Sequence, residues 1–320
     1  MIQTMIVHTG EALIDFIPVV DADDNAAYRP SPGGSPYNSA IAVARLDVPV
    51  AFLGKLSRDF FGDQLLARLA ENGVGTDWIA RTDAPSTLAF VKKTEAGEAR
   101  YAFFADGAAD RSLTATDVPS LKPEVQAIVF GSISLIADPV SATILDLVER
   151  ESAHRVVSFD PNIRTVLVRD EDDYRRRVAR GIAASTIVKV SDEDLAWIVG
   201  TADLESAART LLTQGPRMVV VTAGGDGAFA VWGDSIARVP AVPTSVSDTI
   251  GAGDSFHAAL LSWLHTNGLL DRETVGTLDA RRVEAMLRCA ATVAAHTCSR
   301  PGADPPTRSE LDPGLFSDPV

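Results

Sequence analysis

The feature of this 320-residue sequence that most constrains its fold is the alternation of short apolar runs with segments of helical periodicity. The apolar runs, rich in Val and Ile, are Met5–Thr9, Val50–Leu53, Ala127–Phe130, Val156–Phe159, Ile187–Val190 and Met218–Thr222. The segments with helical spacing are Asn38–Arg45, Phe61–Glu71, Ser141–Glu149, Tyr174–Ala184 and Leu204–Thr213. This alternation predicts a parallel sheet buried between helices on both faces. Ligands of such sheets bind beyond the carboxyl ends of the strands, so we expect the functional site there.

Two segments do not fit this pattern and read instead as strands with period-two alternation. They are Glu11–Tyr28 and Ser86–Phe104. Within the second, Thr87–Lys92 and Ala99–Phe103 are separated by a Glu-Ala-Gly-Glu run at 95–98, which predicts a hairpin. We interpret both segments as a small antiparallel sheet that projects from the main domain, with an ordinary edge hairpin as the alternative. The predicted division is a large domain of residues 1–10, 31–85 and 105–320 and a small sheet of residues 11–30 and 86–104.

The charge and cysteine content exclude several classes of function. The sequence has 29 Lys and Arg against 43 Asp and Glu, a net charge of −14. Nucleic acids and anionic membranes require clustered Lys and Arg, so neither is an expected partner. The two cysteines, Cys289 and Cys298, form no disulfide framework and no zinc motif. The first ten residues lack the pattern of a signal peptide and no apolar run could span a membrane, so we expect a cytoplasmic protein.

The most informative segment is the glycine-rich turn Asp248–Asp254, sequence Asp-Thr-Ile-Gly-Ala-Gly-Asp. Apolar residues then recur at helical spacing, which predicts a helix that starts at about Asp254. Glycines let the backbone approach a phosphate closely, and the free N–H groups of the helix start attract negative charge. A carboxylate at this point could accept the proton of an attacking hydroxyl. The alternative is that Asp254 only caps the helix.

The rest of the sequence favours the first interpretation, because further motifs occur in a recognisable order. The Asp248–Asp254 turn resembles the C-terminal signature of the PfkB, or ribokinase-like, sugar kinases. Gly-Gly-Ser-Pro-Tyr-Asn at 33–38 and the stretch 53–62 resemble their N-terminal signature. Thr-Ala-Gly-Gly-Asp-Gly at 222–227 is similar to their nucleotide loop, and Phe-Asp-Pro-Asn-Ile-Arg at 159–164 also recurs in the family. The resemblance covers nearly the whole chain.

This resemblance implies a fold, a reaction and a set of site residues. The fold is a three-layer αβα ribokinase-like fold with a mostly parallel central sheet and a small β-sheet lid over the sugar site. The reaction is transfer of a phosphoryl group from ATP to a sugar hydroxyl. The implied catalytic residues are the base Asp254 and the anion hole of Gly251, Ala252 and Gly253. The implied sugar-binding residues are Asp15, Gly33, Gly34, Asn38 and Arg164, and the implied nucleotide-binding residues are Lys189, Thr222, Gly224 and Gly227.

The metal sites that the resemblance implies are less regular in this sequence. The family often carries Asn-x-x-Glu after a core strand, where it helps to place Mg²⁺ and phosphate. Here Ser191 stands in place of the Asn and Asp194 in place of the Glu, while Glu193 lies one residue out of register. Either Glu193 or Asp194 is a candidate, because a shorter carboxylate can act on Mg²⁺ through a water. Asp248 and Ile250 lie where many relatives bind a monovalent cation, which makes K⁺ a candidate.

The N-terminal run Gly10–Pro18 and the stretch Tyr101–Arg111 resemble the fructokinases of this family. We therefore predict phosphorylation of D-fructose to fructose 6-phosphate. Alternatives within the family are 2-keto-3-deoxygluconate kinase, ribokinase and a nucleoside kinase. The expected partners are the sugar and ATP, and a homodimer through the lid is a candidate assembly because lids in this family often form dimer contacts.

Two other classes of protein fit the sequence less well. An NAD-dependent dehydrogenase would need Gly-x-Gly-x-x-Gly directly after the first strand, where this sequence has Gly-Glu-Ala-Leu at 10–13. A sugar-binding regulatory protein without catalytic activity remains the alternative, although the retention of Asp254 and the glycines around it argues against it.

Overall fold

The structure is a computed structural model, and it describes residues 4–93 and 99–319. The strands are β1 (Met5–Thr9), β2 (Leu13–Val20), β3 (Ala26–Gly33), β4 (Val50–Ser57), β5 (Ile79–Thr82), β6 (Thr87–Lys93), β7 (Ala99–Phe104), β8 (Val125–Gly131), β9 (Val156–Asp160), β10 (Ile187–Ser191), β11 (Met218–Thr222), β12 (Ala228–Trp232) and β13 (Ser235–Val239). The α-helices are α1 (Ser35–Arg45), α2 (Phe60–Glu71), α3 (Val140–Glu151), α4 (Glu171–Ala184), α5 (Asp192–Val199), α6 (Leu204–Leu212), α7 (Ala252–Thr266), α8 (Arg272–Val275) and α9 (Ala280–Cys298).

The main sheet confirms the predicted parallel arrangement. Within the described residues it has nine strands in the order β13-β12-β11-β10-β9-β8-β1-β4-β5. The pairs from β11 to β5 are parallel, whereas β12 and β13 add an antiparallel edge. The central strands are buried along almost their whole length, as strands covered on both faces must be. Their carboxyl ends therefore meet at one edge, where the site is expected.

Helices cover both faces of this sheet and give two separate cores. One core joins the sheet to α1, α2, α7 and α9, with Trp263 and Tyr37 as its largest fully buried side chains. The other joins the opposite face to α3, α4, α5 and α6, and stacks Phe130 on Phe159 at a ring-centroid distance of 4.7 Å. The three-layer αβα fold is thereby confirmed. No helix within the described ranges is long and apolar enough to cross a membrane.

The segments that did not fit the parallel pattern form a second, four-stranded sheet, in the order β3-β2-β6-β7 among the residues described. β2 pairs antiparallel with β3 and parallel with β6, and β6 pairs antiparallel with β7. The β6–β7 pairing agrees with the predicted hairpin, whose turn at 95–98 lies outside the described residues. β3 continues to Gly33, three residues beyond the predicted boundary of the small sheet. The division into two domains itself stays a prediction.

Candidate active site

A polar cavity of about 330 Å³ opens at the carboxyl ends of the main sheet, beneath the small sheet. Leu13 and Asp15 of β2 and Phe103 of β7 line it from the small sheet. It brings together most of the residues selected from the sequence: Asp15, Gly34, Asn38, Arg164, Lys189, Ile250, Gly251, Gly253 and Asp254. They come from distant parts of the chain, and meet because the sheet gathers the ends of its parallel strands at one edge.

Asp254 lies on the wall of this cavity and is 8% exposed. Ser35 Oγ donates a hydrogen bond to Asp254 Oδ1 at 2.7 Å, and Asn38 Nδ2 donates to Oδ2 at 3.0 Å. Burial raises the pKa of Asp254 to about 6, while the Ser35 and Asn38 hydrogen bonds oppose that rise. A carboxylate with such a pKa can take up a proton near neutral pH, which a general base requires.

The helix that carries Asp254 starts at Ala252, two residues before the predicted start. Gly251 precedes it with φ +76°, and a Cβ there would lie 2.8 Å from that of Ala303, so the turn requires glycine. The first helical bond runs from Ser255 N to Gly251 O, so the N–H groups of Gly253 and Asp254 point out of the helix start. The N–H of Ala252 donates to Thr249 O at 3.3 Å, a weak bond that an anion would have to displace.

A buried ion pair forms the floor beside this helix start. Lys189 Nζ lies 2.9 Å from Asp160 Oδ2, and the two side chains are 6% and 7% exposed. A Cβ on Gly253 would lie 3.1 Å from Lys189 Nζ, so the absence of a side chain there leaves room for the ammonium group. Asp160 Oδ1 is buried without a hydrogen-bond partner among the described residues. Lys189, selected from the sequence as a nucleotide contact, therefore lines the polar cavity beside Gly253.

Asp15 and Arg164 are two further charged residues in the lining of the polar cavity. Burial raises the pKa of Asp15 to about 7, while the positive charge of Arg164 opposes the rise. Near neutral pH Asp15 can thus either donate or accept a hydrogen bond. Gly33 packs directly beneath it, since a Cβ on Gly33 would lie 2.2 Å from Asp15 Oδ2. Gly33 therefore makes space for the carboxylate and does not itself line the cavity.

A second, mainly apolar pocket of about 580 Å³ is lined in part by Ala252 and Gly253 at the start of the helix. It contains the remaining nucleotide candidates, Thr222, Gly224 and Gly227. Gly227 has φ +92° and a Cβ there would lie 2.2 Å from Val239 O, so the loop requires glycine. Thr249 and Gly253 line both the apolar pocket and the polar cavity. The two spaces therefore meet at the start of α7.

The candidate metal ligands lie outside both spaces, apart from Ile250. Asp194 is half-buried and its Oδ2 accepts from Ile163 N at 3.2 Å, and its pKa is raised to about 6 by burial and by the negative charge of Asp160. Glu193 is exposed. Asp248 accepts hydrogen bonds from Ile250 N and Gly302 N, at 3.1 and 3.0 Å. The residues described contain no group of three or more His, Cys, Asp and Glu that could together hold a metal ion.

Several cavity residues were not given a role from the sequence. Glu11, Ser35, Asp160 and Asn162 all line the polar cavity. All four occur in motifs already noted, but the motifs do not reveal which atoms they contact. Asn162 has a φ of +39°, an unusual conformation for a residue other than glycine, and such strain is common at functional sites.

Comparisons with known proteins show the family of this chain. Residues 3–310 match the family that is described as pfkB family carbohydrate kinase. The chain is 41% identical to a fructokinase from Rhizobium leguminosarum bv. trifolii over 275 residues, 86% of this chain and 84% of that one. A structure of fructokinase from Xylella fastidiosa with bound ATP superposes with a TM-score of 0.86 at 29% identity, over 94% of each chain. A fructokinase double mutant from Vibrio cholerae O395, in a fructose, ADP and potassium ion bound form, superposes with a TM-score of 0.83 at 26% identity, also over 94% of each chain.

The chain therefore belongs to the pfkB family of carbohydrate kinases. It is a phosphotransferase that acts on a sugar hydroxyl. The resemblance drawn from its motifs and the fold that those motifs imply are both confirmed.

Proposed function

We propose that this chain is a fructokinase that transfers the γ-phosphoryl group of ATP to the 6-hydroxyl of D-fructose. The observation that carries the proposal is the position of Asp254. It lines the polar cavity and directly follows Gly253, which with Thr249 also lines the apolar pocket. A sugar in the cavity and a nucleotide in the pocket would present their reacting atoms to each other at this junction. The fructokinases that the chain resembles in sequence and structure support the choice of sugar.

In the mechanism that we propose, Asp254 is the base and the start of α7 stabilises the phosphoryl group. Asp254 accepts the proton of the attacking hydroxyl, and the N–H groups of Gly253 and Asp254 face the charge that develops on the phosphoryl oxygens. Lys189 adds a positive charge beside Gly253. Asp15, Asn38 and Arg164 hold the sugar, while Thr222, Gly224 and Gly227 lie along the nucleotide. The small sheet closes over the sugar as a lid and limits the access of water.

We propose two ions for this site, Mg²⁺ and K⁺. Asp194 and the unpartnered Asp160 Oδ1 offer the oxygen ligands that Mg²⁺ prefers, and Asp194 is better placed than the exposed Glu193. Bound with ATP, Mg²⁺ would neutralise part of the phosphate charge. For K⁺ we propose the loop of Asp248 and Ile250. Both Asp248 oxygens already accept backbone N–H groups, so the ligands there would be mainly backbone carbonyls.

The charge of the polar cavity favours a neutral sugar over a sugar acid. Among its described lining residues, the acids are Glu11, Asp15, Asp160 and Asp254. The cations in the same lining are Arg164 and Lys189, and Lys189 is already paired with Asp160. A carboxylate such as that of 2-keto-3-deoxygluconate would therefore meet net repulsion, whereas the hydroxyls of fructose find acceptors and donors.

We expect strong turnover with fructose when ADP release is measured with Mg·ATP and a panel of fructose, ribose, 2-keto-3-deoxygluconate, glucose and adenosine. The deoxygluconate should be the poorest sugar because the acids of the cavity repel its carboxylate. Its rate relative to fructose should fall further at low salt, where this repulsion is screened less. Parallel runs with chelator, or with Na⁺ in place of K⁺, test the two ions. Preference for another member of the panel would overturn the choice of fructose but keep the kinase. Sugar binding without turnover on any member would favour the non-catalytic alternative.

We also propose a cytoplasmic location and a homodimer. Both cysteines are free thiols, which suits a reducing compartment.

For the dimer we define the aromatic face of the small sheet as Phe16, Tyr28, Phe90 and Phe104. Phe16 stacks on Phe90 at 4.4 Å, and Tyr28 and Phe104 contact Phe90 edge-on at 5.3 and 5.6 Å. Tyr28 and Phe104 remain 47% and 63% exposed.

An exposed aromatic cluster on a sheet is a common protein-interaction surface, and we propose a second copy of this chain as its occupant. We expect the wild-type chain to sediment as a dimer and the double variant Tyr28→Ser/Phe104→Ser as a monomer. Val166→Ser, which removes an equally exposed apolar side chain elsewhere, should leave the mass unchanged. A wild-type chain that is monomeric at all concentrations, or a double variant that remains dimeric, would contradict this interface.

A further inference from the structure

We propose that Ser35, held in place by the carboxylate of Glu11, is a positioning residue that orients and tunes Asp254. The inference rests on the proposed role of Asp254 as base. We call these two residues the Glu11–Ser35 brace. The brace connects the residues just before β2 with the start of α1 and, through Asp254, with the start of α7.

Helix α1 takes the capping group for its first N–H from another segment of the chain. The residue before the helix is Gly34, with φ +112°, and a Cβ there would lie 2.7 Å from Glu11 O. Glycine is therefore required, and glycine has no side chain with which to cap the free N–H groups of the helix. Glu11 takes this role, because its Oε1 accepts a hydrogen bond from Ser35 N at 3.1 Å. A carboxylate is also the favoured charge at a helix N-terminus.

Glu11 is itself held by a hydrogen bond from the segment that follows β8. Ser134 Oγ donates to Glu11 Oε2 at 2.6 Å, and Glu11 is 2% exposed. Burial raises the pKa of Glu11, and the hydrogen bonds from Ser134, Ser132 and Ser35 oppose the rise. Both carboxylate oxygens are thus engaged, and a buried group held at both ends leaves its partner little freedom. The position of Ser35 N is therefore set by β8 and its following turn as well as by α1.

Ser35 in turn contacts Asp254, the proposed base. Ser35 Oγ donates to Asp254 Oδ1 at 2.7 Å, a charge-assisted hydrogen bond. This bond favours the ionised form of Asp254 and orients its carboxylate in the cavity. Asn38, one turn later on α1, donates to the other oxygen, so a single helix start grips both oxygens. Neither contact involves substrate, which is why we assign Ser35 a positioning role.

The test is the pH dependence of kcat/KM for fructose in Ser35→Ala, Ser35→Thr and Glu11→Gln. Removal of one hydrogen bond to the carboxylate should raise the pKa of Asp254, so the acidic limb of the Ser35→Ala profile should move up by about 0.5 to 1 pH unit. The plateau should fall by about 10-fold. Ser35→Thr keeps the hydroxyl and should restore both, and Glu11→Gln keeps an acceptor for Ser35 N and should lie between.

Other charges act on Asp254 and are unchanged in these variants: Asp160 of β9 raises its pKa, Lys189 of β10 lowers it, and Asp15 of β2 faces it across the cavity. The matched control is Ser39→Ala on the same helix. Ser39 Oγ is buried without a partner within the described residues, so its loss should not move the limb.

Two outcomes separate the failure of this inference from that of the proposed mechanism. If Asp254→Asn is inactive but Ser35→Ala has the pH profile of Ser39→Ala, the brace has only a structural role and the inference is wrong. If Asp254→Asn keeps near wild-type rates, the base assignment itself fails and the brace has nothing to tune.

Discussion

Asp254→Asn should lower kcat by about 10²- to 10⁴-fold while the affinities for fructose and ATP change little. The amide has nearly the same shape as the carboxylate and can still accept from Ser35 Oγ at one oxygen. It cannot accept the hydroxyl proton, so the attacking oxygen must lose that proton to water. Steady-state kinetics with both substrates varied separates the loss in kcat from any change in KM.

The pH profile of the wild-type enzyme provides a second readout of the same assignment. A raised pKa means that Asp254 keeps its proton to higher pH, so the base form is present above about pH 6 and is lost as the pH falls through that value. We expect kcat/KM to fall below this point. The control Asp279→Asn alters an N-cap of α9 far from the cavity and should keep full turnover. A variant Asp254→Asn with near-normal kcat would remove the base from the mechanism.

Lys189→Met should be the most destabilising of the substitutions considered, with a loss of about 3 kcal/mol in the free energy of unfolding. The substitution removes the ammonium group and leaves the carboxylate of Asp160 buried without its counter-ion. The expected loss is at the lower end of the range for buried pairs, because Asp160 lines a cavity that water can enter. Urea-induced unfolding followed by tryptophan fluorescence measures the loss. Asp160→Asn and the double variant Lys189→Met/Asp160→Asn complete a double-mutant cycle.

The double variant Lys189→Met/Asp160→Asn should recover much of that stability, since no buried charge is left unpaired. The matched control is Lys55→Met. Lys55 and Asp117 have the same N–O distance of 2.9 Å, but each side chain is 17% exposed, so solvent screens the pair and the loss should be smaller. Equal losses in Lys189→Met and Lys55→Met, or no recovery in the double variant, would contradict an energetic role for burial of the pair.

Much of the main sheet could be predicted because its signals are local. β1 and β11 have the predicted limits, Met5–Thr9 and Met218–Thr222, since a strand buried on both faces is a continuous apolar run. The hairpin of β12 and β13 was not predicted, although Gly233 provides its turn. The C-terminal end of β3 was predicted three residues too early, because its last residues, up to Gly33, do not alternate between apolar and polar side chains.

The site was predicted in outline and not in its contacts. The glycine-rich turn made Asp254 a candidate base because the residues expected at a phosphate site are consecutive in the sequence. The hydrogen bond from Ser35 to Asp254 joins residues that are 219 positions apart, and no local pattern encodes it. The role of Glu11 could not be predicted either. Its carboxylate replaces the side-chain cap that Gly34 cannot supply, and the requirement for glycine at this position follows only from the backbone conformation of Gly34.

The junction at Thr249 and Gly253 has a stereochemical consequence. We proposed that the nucleotide binds in the apolar pocket and the sugar in the polar cavity, and these two spaces share Thr249 and Gly253 in their linings. With that assignment both substrates would be bound together, and we expect direct transfer with the acceptor oxygen in line with the leaving oxygen. A single displacement of this kind inverts the configuration at phosphorus, whereas a phosphorylated enzyme intermediate would require two displacements and net retention. A chiral γ-thiophosphate would thus leave this enzyme as the inverted product, and exchange of label between ADP and ATP would require the sugar.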